Sequence, residues 1–294
     1  MGEERLPALI DGPMDTTQLE AGLTLDVSRS SQPVSSWVLA APTVPCPTEI
    51  TLEGSPVSSR HSALSLQMLT MFGGEASLEE GQLIITPTPL KGFSEYTIPG
   101  DASMAAFAML ACSVSNRDVD LIGWPGKKDA VGHEILEEHA PSLGINWNQS
   151  KLSKIEANNS LELDLKDAND LLPPLAAVLS LNKGGKLKGA AHAAFKESNR
   201  LQRTADVLAQ FGMTAEVNND GLTIQGGQRP QRPEQPVQTY DDHRLFMTAV
   251  LLASACGGDV VGQSLHLVAD EPFIERLISS GVGIEKISLP PIED

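Results

Sequence analysis

The stretch YDDHRLFMTAVLLA, residues 240–253, sets two carboxylates, an imidazole and a guanidinium directly before an apolar run. The apolar residues read as a buried helix and the polar ones as its N-terminus. There, free N–H groups and about half a positive charge make an anion site. Three other segments read the same way: SSQPVSSWVLA (30–40), GDASMAAFAMLA (100–111) and DLLPPLAAVLSL (170–181). Counted from Ser31, Asp101, Asp170 and Asp241, the four helix starts lie 70, 69 and 71 residues apart. A second ladder ends in glycine, the usual residue at the left-handed position that stops a helix. SLQMLTMFG, HEILEEHAPSLG, TADVLAQFG and PFIERLISSG place it at Gly73, Gly144, Gly212 and Gly281, spaced 71, 68 and 69. Two interleaved ladders with one period define a repeat.

Short β-branched runs fill the intervals: LTLDV, TEITLEG, QLIITP, EYTIPG, DVDLIG, LELDL, KLKGA, GLTIQGG and DVVGQSLHLV. Asn219-Asp220-Gly221 and Glu80-Gly81 read as hairpin turns. Each unit of about 70 residues is therefore strand, helix, strand, helix and a strand pair, and the fold class is α/β, built from four βαβαββ units. In the first, Val34, Trp37, Val38 and Ala41 form one helical stripe, Pro33 suits the first turn, and Ser30 or Ser31 suits the cap. The same geometry is expected at Asp101, Asp170 and Asp242, so that several helix N-termini converge on one region.

A formal charge of −17 excludes nonspecific attraction to nucleic acid or an anionic membrane, because the long-range field has the wrong sign. An anionic small molecule then needs a local pocket of Arg, Lys and helix N-termini acting at short range. No apolar run approaches a membrane span, and MGEERLPALIDG does not read as a secretory signal, so the expected location is cytoplasmic. Cys46, Cys112 and Cys256 are widely spaced among small or apolar residues, which suits buried thiols rather than a disulfide framework or a zinc site.

KESNR, residues 196–200, brings Lys196, Glu197 and Arg200 just before the stripe Leu201, Thr204, Ala205 and Leu208. Placed with DDHR at helix starts, it reads as part of a distributed site for a multiply charged anion. In order and spacing, SSQPVSSWVLAAP, GDASMAAFAMLA, DLLPPLAAVLSL, FKESNRL and YDDHRLFM resemble the EPSP synthases, the 3-phosphoshikimate 1-carboxyvinyltransferases of the shikimate pathway.

The resemblance implies an inside-out α/β barrel fold with two domains, each of three repeats, and substrates bound between them. It implies transfer of the enolpyruvyl group of phosphoenolpyruvate to the 5-hydroxyl of shikimate 3-phosphate, with release of phosphate and with no metal or organic cofactor. By resemblance, Ser30 and Ser31 hold the phosphate of shikimate 3-phosphate, Gln32 its ring, and Ser58 makes a further phosphate contact. Arg60 and His61 stand where the family commonly has Pro and Tyr. The resemblance implies further that Asp170 takes the 5-hydroxyl proton, that Lys196 touches the same substrate and that Glu197 exchanges a proton with the phosphoenolpyruvate methylene. Arg200 and Arg244 resemble the guanidiniums that grip phosphoenolpyruvate, with His243 expected against the same group, and planar forks suit carboxylate and phosphate. Asp101 and Asp242 are expected to orient the helix starts rather than react.

The pattern is entered at about LPALIDG, so two of the usual six repeats are absent, together with a Lys-Ser segment and a G-N-x-G-T loop. The expected domains are 1–98, carrying one repeat and the SSQ helix, and 99–294, carrying three. LVADEPFIE places Ala269 or Asp270 where the family has lysine, and like charges there are expected to weaken phosphoenolpyruvate binding. KESNR carries Asn199 for the usual Asp, and AHAAF (191–195) lacks a common Arg. Three readings fit. The first is an EPSP synthase, active alone or with a partner chain supplying the missing repeats. The second is a homologue that binds an anionic metabolite or another protein without turnover. The third, a UDP-sugar enolpyruvyl transferase, is disfavoured by the KESNR and DDHR pair.

Overall fold

The computed structural model describes residues 12, 15–92 and 95–287; most of the LPALIDG segment lies outside them. The chain divides into two compact units, Met1–Thr97 and Ile98–Asp294.

In the first unit, helix α1 (Thr16–Glu20) is capped by Asp15 and precedes β1 (Leu23–Asp26), α2 (Gln32–Ala40), β2 (Thr48–Glu53), α3 (Ser59–Met71), β3 (Glu75–Glu79) and β4 (Gln82–Thr86). The sheet order is β1-β2-β4-β3, with β1 and β2 parallel and the other pairs antiparallel. Val27, Val34, Val38, Ile50, Leu83 and Ile85 are among its buried core. Asp26 pairs in register with Glu53, so the chain leaves β1 and β2 at the same sheet edge. Both following loops, with Ser30 to Gln32 on one and Ser58 on the other, therefore start side by side.

The second unit opens with α4 (Ala105–Ser115), β5 (Val119–Asp120), a single-turn α5 (Ile135–Glu138), β6 (Ile145–Asn148) and β7 (Lys151–Lys154). It continues through β8 (Leu161–Asp164), α6 (Leu172–Leu181), β9 (Gly184–Lys188), α7 (Arg200–Gln210), β10 (Ala215–Asn218) and β11 (Gly221–Gln225). It closes with α8 (His243–Cys256) and α9 (Phe273–Ser279). The sheet β8-β9-β11-β10 repeats the topology of the first unit, strand for strand, with β8 and β9 parallel.

The repetition extends to single hydrogen bonds. Ser28 N–H donates to Asp26 Oδ1 at 2.8 Å, and Lys166 N–H to Asp164 Oδ1 at 2.9 Å. Val27 N–H reaches the Glu53 carbonyl at 2.9 Å, as Leu165 N–H reaches that of Lys188 at 2.8 Å. All four ladder glycines adopt positive φ: 79° at Gly73, 77° at Gly144, 71° at Gly212 and 94° at Gly281.

Two of the four repeats are incomplete among the described residues, and the sequence gives the reasons. EYTIPG does not form a strand, since Pro99 brings no N–H to a ladder. The sheet there is β5-β7-β6. Gly100 still lies against the segment that follows β5, where an added Cβ would sit 2.2 Å from the Gly123 carbonyl oxygen. HEILEEHAPSLG forms only one helical turn before Pro141 interrupts it. DVVGQSLHLV yields a single parallel bridge, Val260 to Val237, and a 3-10 turn at Leu265–Val268 rather than a strand. Gly262 lies inside the run and packs so close to Phe246 that an added Cβ would sit 2.4 Å from its ring.

Helix α6 is buried along its whole length and packs on α4, α7 and α8, which explains its apolar composition on every face. Cys112 is buried while Cys46 and Cys256 are only partly so; all three are free thiols. Among the described residues no helix is long and apolar enough to cross a membrane.

Candidate active site

Candidate side chains of the second unit meet around Arg200, which is 1% exposed. Its Nε donates to Asp242 Oδ2 at 2.8 Å, Nη1 to Asp170 Oδ1 at 2.6 Å and Nη2 to Glu197 Oε2 at 2.5 Å. Asp242 is fully buried. It also accepts the Ser198 hydroxyl at 3.0 Å and, as the cap of α8, the Arg244 N–H at 2.9 Å. Arg244 in turn directs Nη2 to Asp170 Oδ2 at 3.4 Å and Nη1 to Ser103 Oγ at 3.0 Å. Ser103 belongs to the turn Ala102–Met104 that leads into α4, and Asp170 to the turn Asn169–Leu171 that leads into α6. The starts of α4, α6, α7 and α8 thus converge on two guanidiniums.

This answers why four polar groups crowd the start of α8. Tyr240 and Asp241 both take left-handed backbone, φ 55° and 56°, a conformation costly for non-glycine residues. The sharp turn delivers Asp242 to cap α8 and to hold Arg200. Arg203 lies over the Tyr240 ring at 4.2 Å and helps hold the turn.

The capping pattern differs from the sequence expectation at one place, Asp170. Asp101 accepts the Ser103 N–H at 2.8 Å as expected. Asp170, however, caps nothing through its side chain; its carboxylate points to Arg200 and Arg244, whose charges outcompete a local N–H. In the first unit Ser31 is the N-cap residue of α2 without a side-chain cap bond, and it is Ser30 whose Oγ accepts the Gln32 N–H at 3.1 Å. Asn199 caps α7 by accepting the Gln202 N–H at 3.2 Å, so Asn serves there as Asp would. Ser58 precedes α3 in left-handed backbone, φ 51°, and is buried.

Burial opposes charge on Asp170, yet Arg244, Arg200, Lys196 and His133 outweigh it and hold the carboxyl well below the usual range. A proton acceptor with a raised value is therefore not what this state presents. Burial likewise opposes charge on Asp242, and Arg200 with the Ser198 and Arg244 hydrogen bonds reverses it. His243, buried at the start of α8, is pushed down by burial and by Arg244 and Arg200. His192 is pushed down by burial and Lys196, and its Nε2 meets Asn169 Nδ2 at 2.7 Å, tying the turn before Lys196 to the turn carrying Asp170.

These shifts set the acid stability. A histidine neutral in the fold must bind its proton in the unfolded chain first, so stability is complete above about pH 6.5 and falls below it. The depressed carboxylates add stability above about pH 4 that disappears below. Denaturant unfolding followed by Trp124 and Trp147, in salt high enough to screen the −17 charge, should show a falling midpoint between pH 7.5 and 5 and a steeper fall below 4. A flat midpoint from 7.5 to 5 would contradict the buried neutral histidines.

Asp270 forms an ion pair with Arg276 of α9, so the negative charge expected to repel an anion is offset within the unit. Glu271 remains exposed. Ser103, Ser198 and His192 escape sequence reasoning. Only their position beside a repeat-equivalent helix start could have flagged them. Among the described residues no group of three or more His, Cys, Asp or Glu is placed to hold a metal.

The repeated βαβαββ units and the guanidinium–carboxylate cluster at their helix starts define an α/β protein of the enolpyruvyl-transferase fold. Solved structures agree: EPSP synthase from Acinetobacter baumannii matches with TM-score 0.66 at 22% identity, over 90% of this chain and 63% of that one. The enolpyruvyl transferase NikO from Streptomyces tendae matches with TM-score 0.63 at 16% identity, over 89% and 64%. The family model for EPSP synthase (3-phosphoshikimate 1-carboxyvinyltransferase) matches residues 4–270, and the chain belongs to that family. The 3-phosphoshikimate 1-carboxyvinyltransferase of Methanosarcina acetivorans is 26% identical over 98% of this chain and 67% of its own length. That of Idiomarina loihiensis is 30% identical over 88% and 60%. The chain thus spans about 60 to 67% of the length of these curated relatives.

Proposed function

We propose that this chain transfers the enolpyruvyl group of phosphoenolpyruvate to the 5-hydroxyl of shikimate 3-phosphate, with a partner chain supplying the repeats it lacks. The carrying observation is the convergence of Asp170, Glu197, Arg200 and Arg244 on one site at the family's motif positions. Phosphoenolpyruvate lies against Arg244 and Arg200. Glu197 protonates its C3 methylene, C2 becomes cationic, and the 5-oxygen attacks C2 while its proton passes to Asp170. Phosphate then leaves with the proton held by Asp170 as C3 returns a proton to Glu197, which forms the enol ether of the product. Lys196 and His243 border the reacting groups, and Ser30, Ser31, Gln32 and Ser58 bind the shikimate moiety. Three free thiols suit a reducing cytoplasm.

Arg200 gives this chemistry a trigger. Its Nη groups hold Asp170 and Glu197, and a phosphate or carboxylate that engages Arg200 competes for the same donors and releases both carboxylates together. Anion binding raises the basicity of Asp170 by occupying the charges that depress it.

The absence of lysine at Ala269 and Asp270 favours a second reading, binding without turnover by the chain alone. Calorimetric titration with shikimate 3-phosphate, then phosphoenolpyruvate, of this chain mixed with the portion of the Methanosarcina acetivorans relative that it does not cover separates them. Binding of both ligands with phosphate release supports the first, binding without release the second, and indifference to both removes each.

A further inference from the structure

We propose that Ser103 is a positioning residue for the guanidinium of Arg244, acting from a different repeat. The hydrogen-bond polarity is forced. A guanidinium only donates, so Arg244 Nη1 gives its proton to Ser103 Oγ at 3.0 Å, and the Ser103 hydroxyl proton goes to Asp101 Oδ1 at 2.7 Å. Ser103 is 1% exposed, so water does not replace it. At the other end, Asp242 holds the Arg244 main-chain N–H and Asp170 faces Nη2.

Arg244 is therefore fixed by groups from the starts of α4, α6 and α8, while its Nε is buried without a hydrogen-bond partner. A charged N–H left so costs the fold unless a ligand takes it, and a guanidinium already oriented loses little entropy when one does. Ser103 thereby sets the direction in which the free edge faces.

This rests on reading Arg244 as the group that grips phosphoenolpyruvate, so the test carries one arm independent of ligand. The Ser103→Ala variant keeps the Asp101 cap, because the Ser103 N–H remains; its melting temperature should match the parent within a few degrees. In arginine side-chain nitrogen NMR of the full chain, the Arg244 guanidinium, assigned by its loss in Arg244→Lys, should show restricted rotation in the parent and free rotation in Ser103→Ala. By calorimetry with that complementing portion added, phosphoenolpyruvate affinity should fall about 5- to 20-fold while shikimate 3-phosphate affinity stays within about twofold. Ser103→Thr, which retains the hydroxyl, should recover most of the loss. An unchanged Arg244 signal in Ser103→Ala overturns the proposal, as does unchanged affinity in a parent that binds. If the parent binds no phosphoenolpyruvate yet Ser103→Ala frees the guanidinium, positioning stands and the functional reading falls.

Discussion

Replacing Arg200 with methionine is expected to destabilise the 98–294 unit by about 3–5 kcal/mol, the cost of leaving a buried charge without its partner. Asp242 has no exposed surface, and its remaining partners, the Ser198 hydroxyl and the Arg244 N–H, carry no compensating full charge of their own. For a unit of this size the melting temperature should fall by about 6–20 °C. Arg200→Lys should recover little, because one ammonium cannot address three carboxylates through a planar fork. The double variant Arg200→Met, Asp242→Leu should regain at least half of the loss, since replacing both members by apolar groups removes the stranded charge. It should still fall short of the parent by about 1 kcal/mol, the worth of the α8 cap that Asp242 provides. Thermal unfolding of the four chains decides. Equal stability of Arg200→Met and parent would show that the cluster does not hold the helix starts together.

Asp170→Asn should lower turnover by about 10²- to 10⁴-fold, the range for removing a positioned general base. In the proposed reaction the amide fills the same space but cannot take the 5-hydroxyl proton. It also removes a negative charge from beside Arg244 and Arg200, so phosphoenolpyruvate affinity should hold or improve. The signature is a fall in kcat with no rise in KM, read from initial rates of phosphate release. A raised KM with kcat intact would make Asp170 a binding group instead.

Much of the fold is legible in the chain, because glycines at a fixed period and capping residues before apolar runs obey local rules. Gly73, Gly144, Gly212 and Gly281 announce their own left-handed backbone. Less legible is whether a β-branched run finds a partner. EYTIPG and DVVGQSLHLV have strand composition, but Pro99 and Gly262 spoil their ladders, and pairing is a tertiary property.

The site divides along the same line. KESNR and DDHR mark Glu197, Arg200 and Arg244 by residue type. The pairing of Arg200 with Asp242, 42 residues away, and of Arg244 with Ser103, 141 away, follows only from the packing of helix starts. The direction of the Asp170 shift was equally out of reach, because it depends on which cations surround the carboxylate.

The decisive measurement is phosphate release from phosphoenolpyruvate and shikimate 3-phosphate by this chain mixed with the portion of the Methanosarcina acetivorans relative that it does not cover. Helix starts that assemble a working anion site predict release that requires both substrates and disappears in Asp170→Asn. A mixture that binds both substrates and releases nothing, or releases equally with Asp170→Asn, would contradict it.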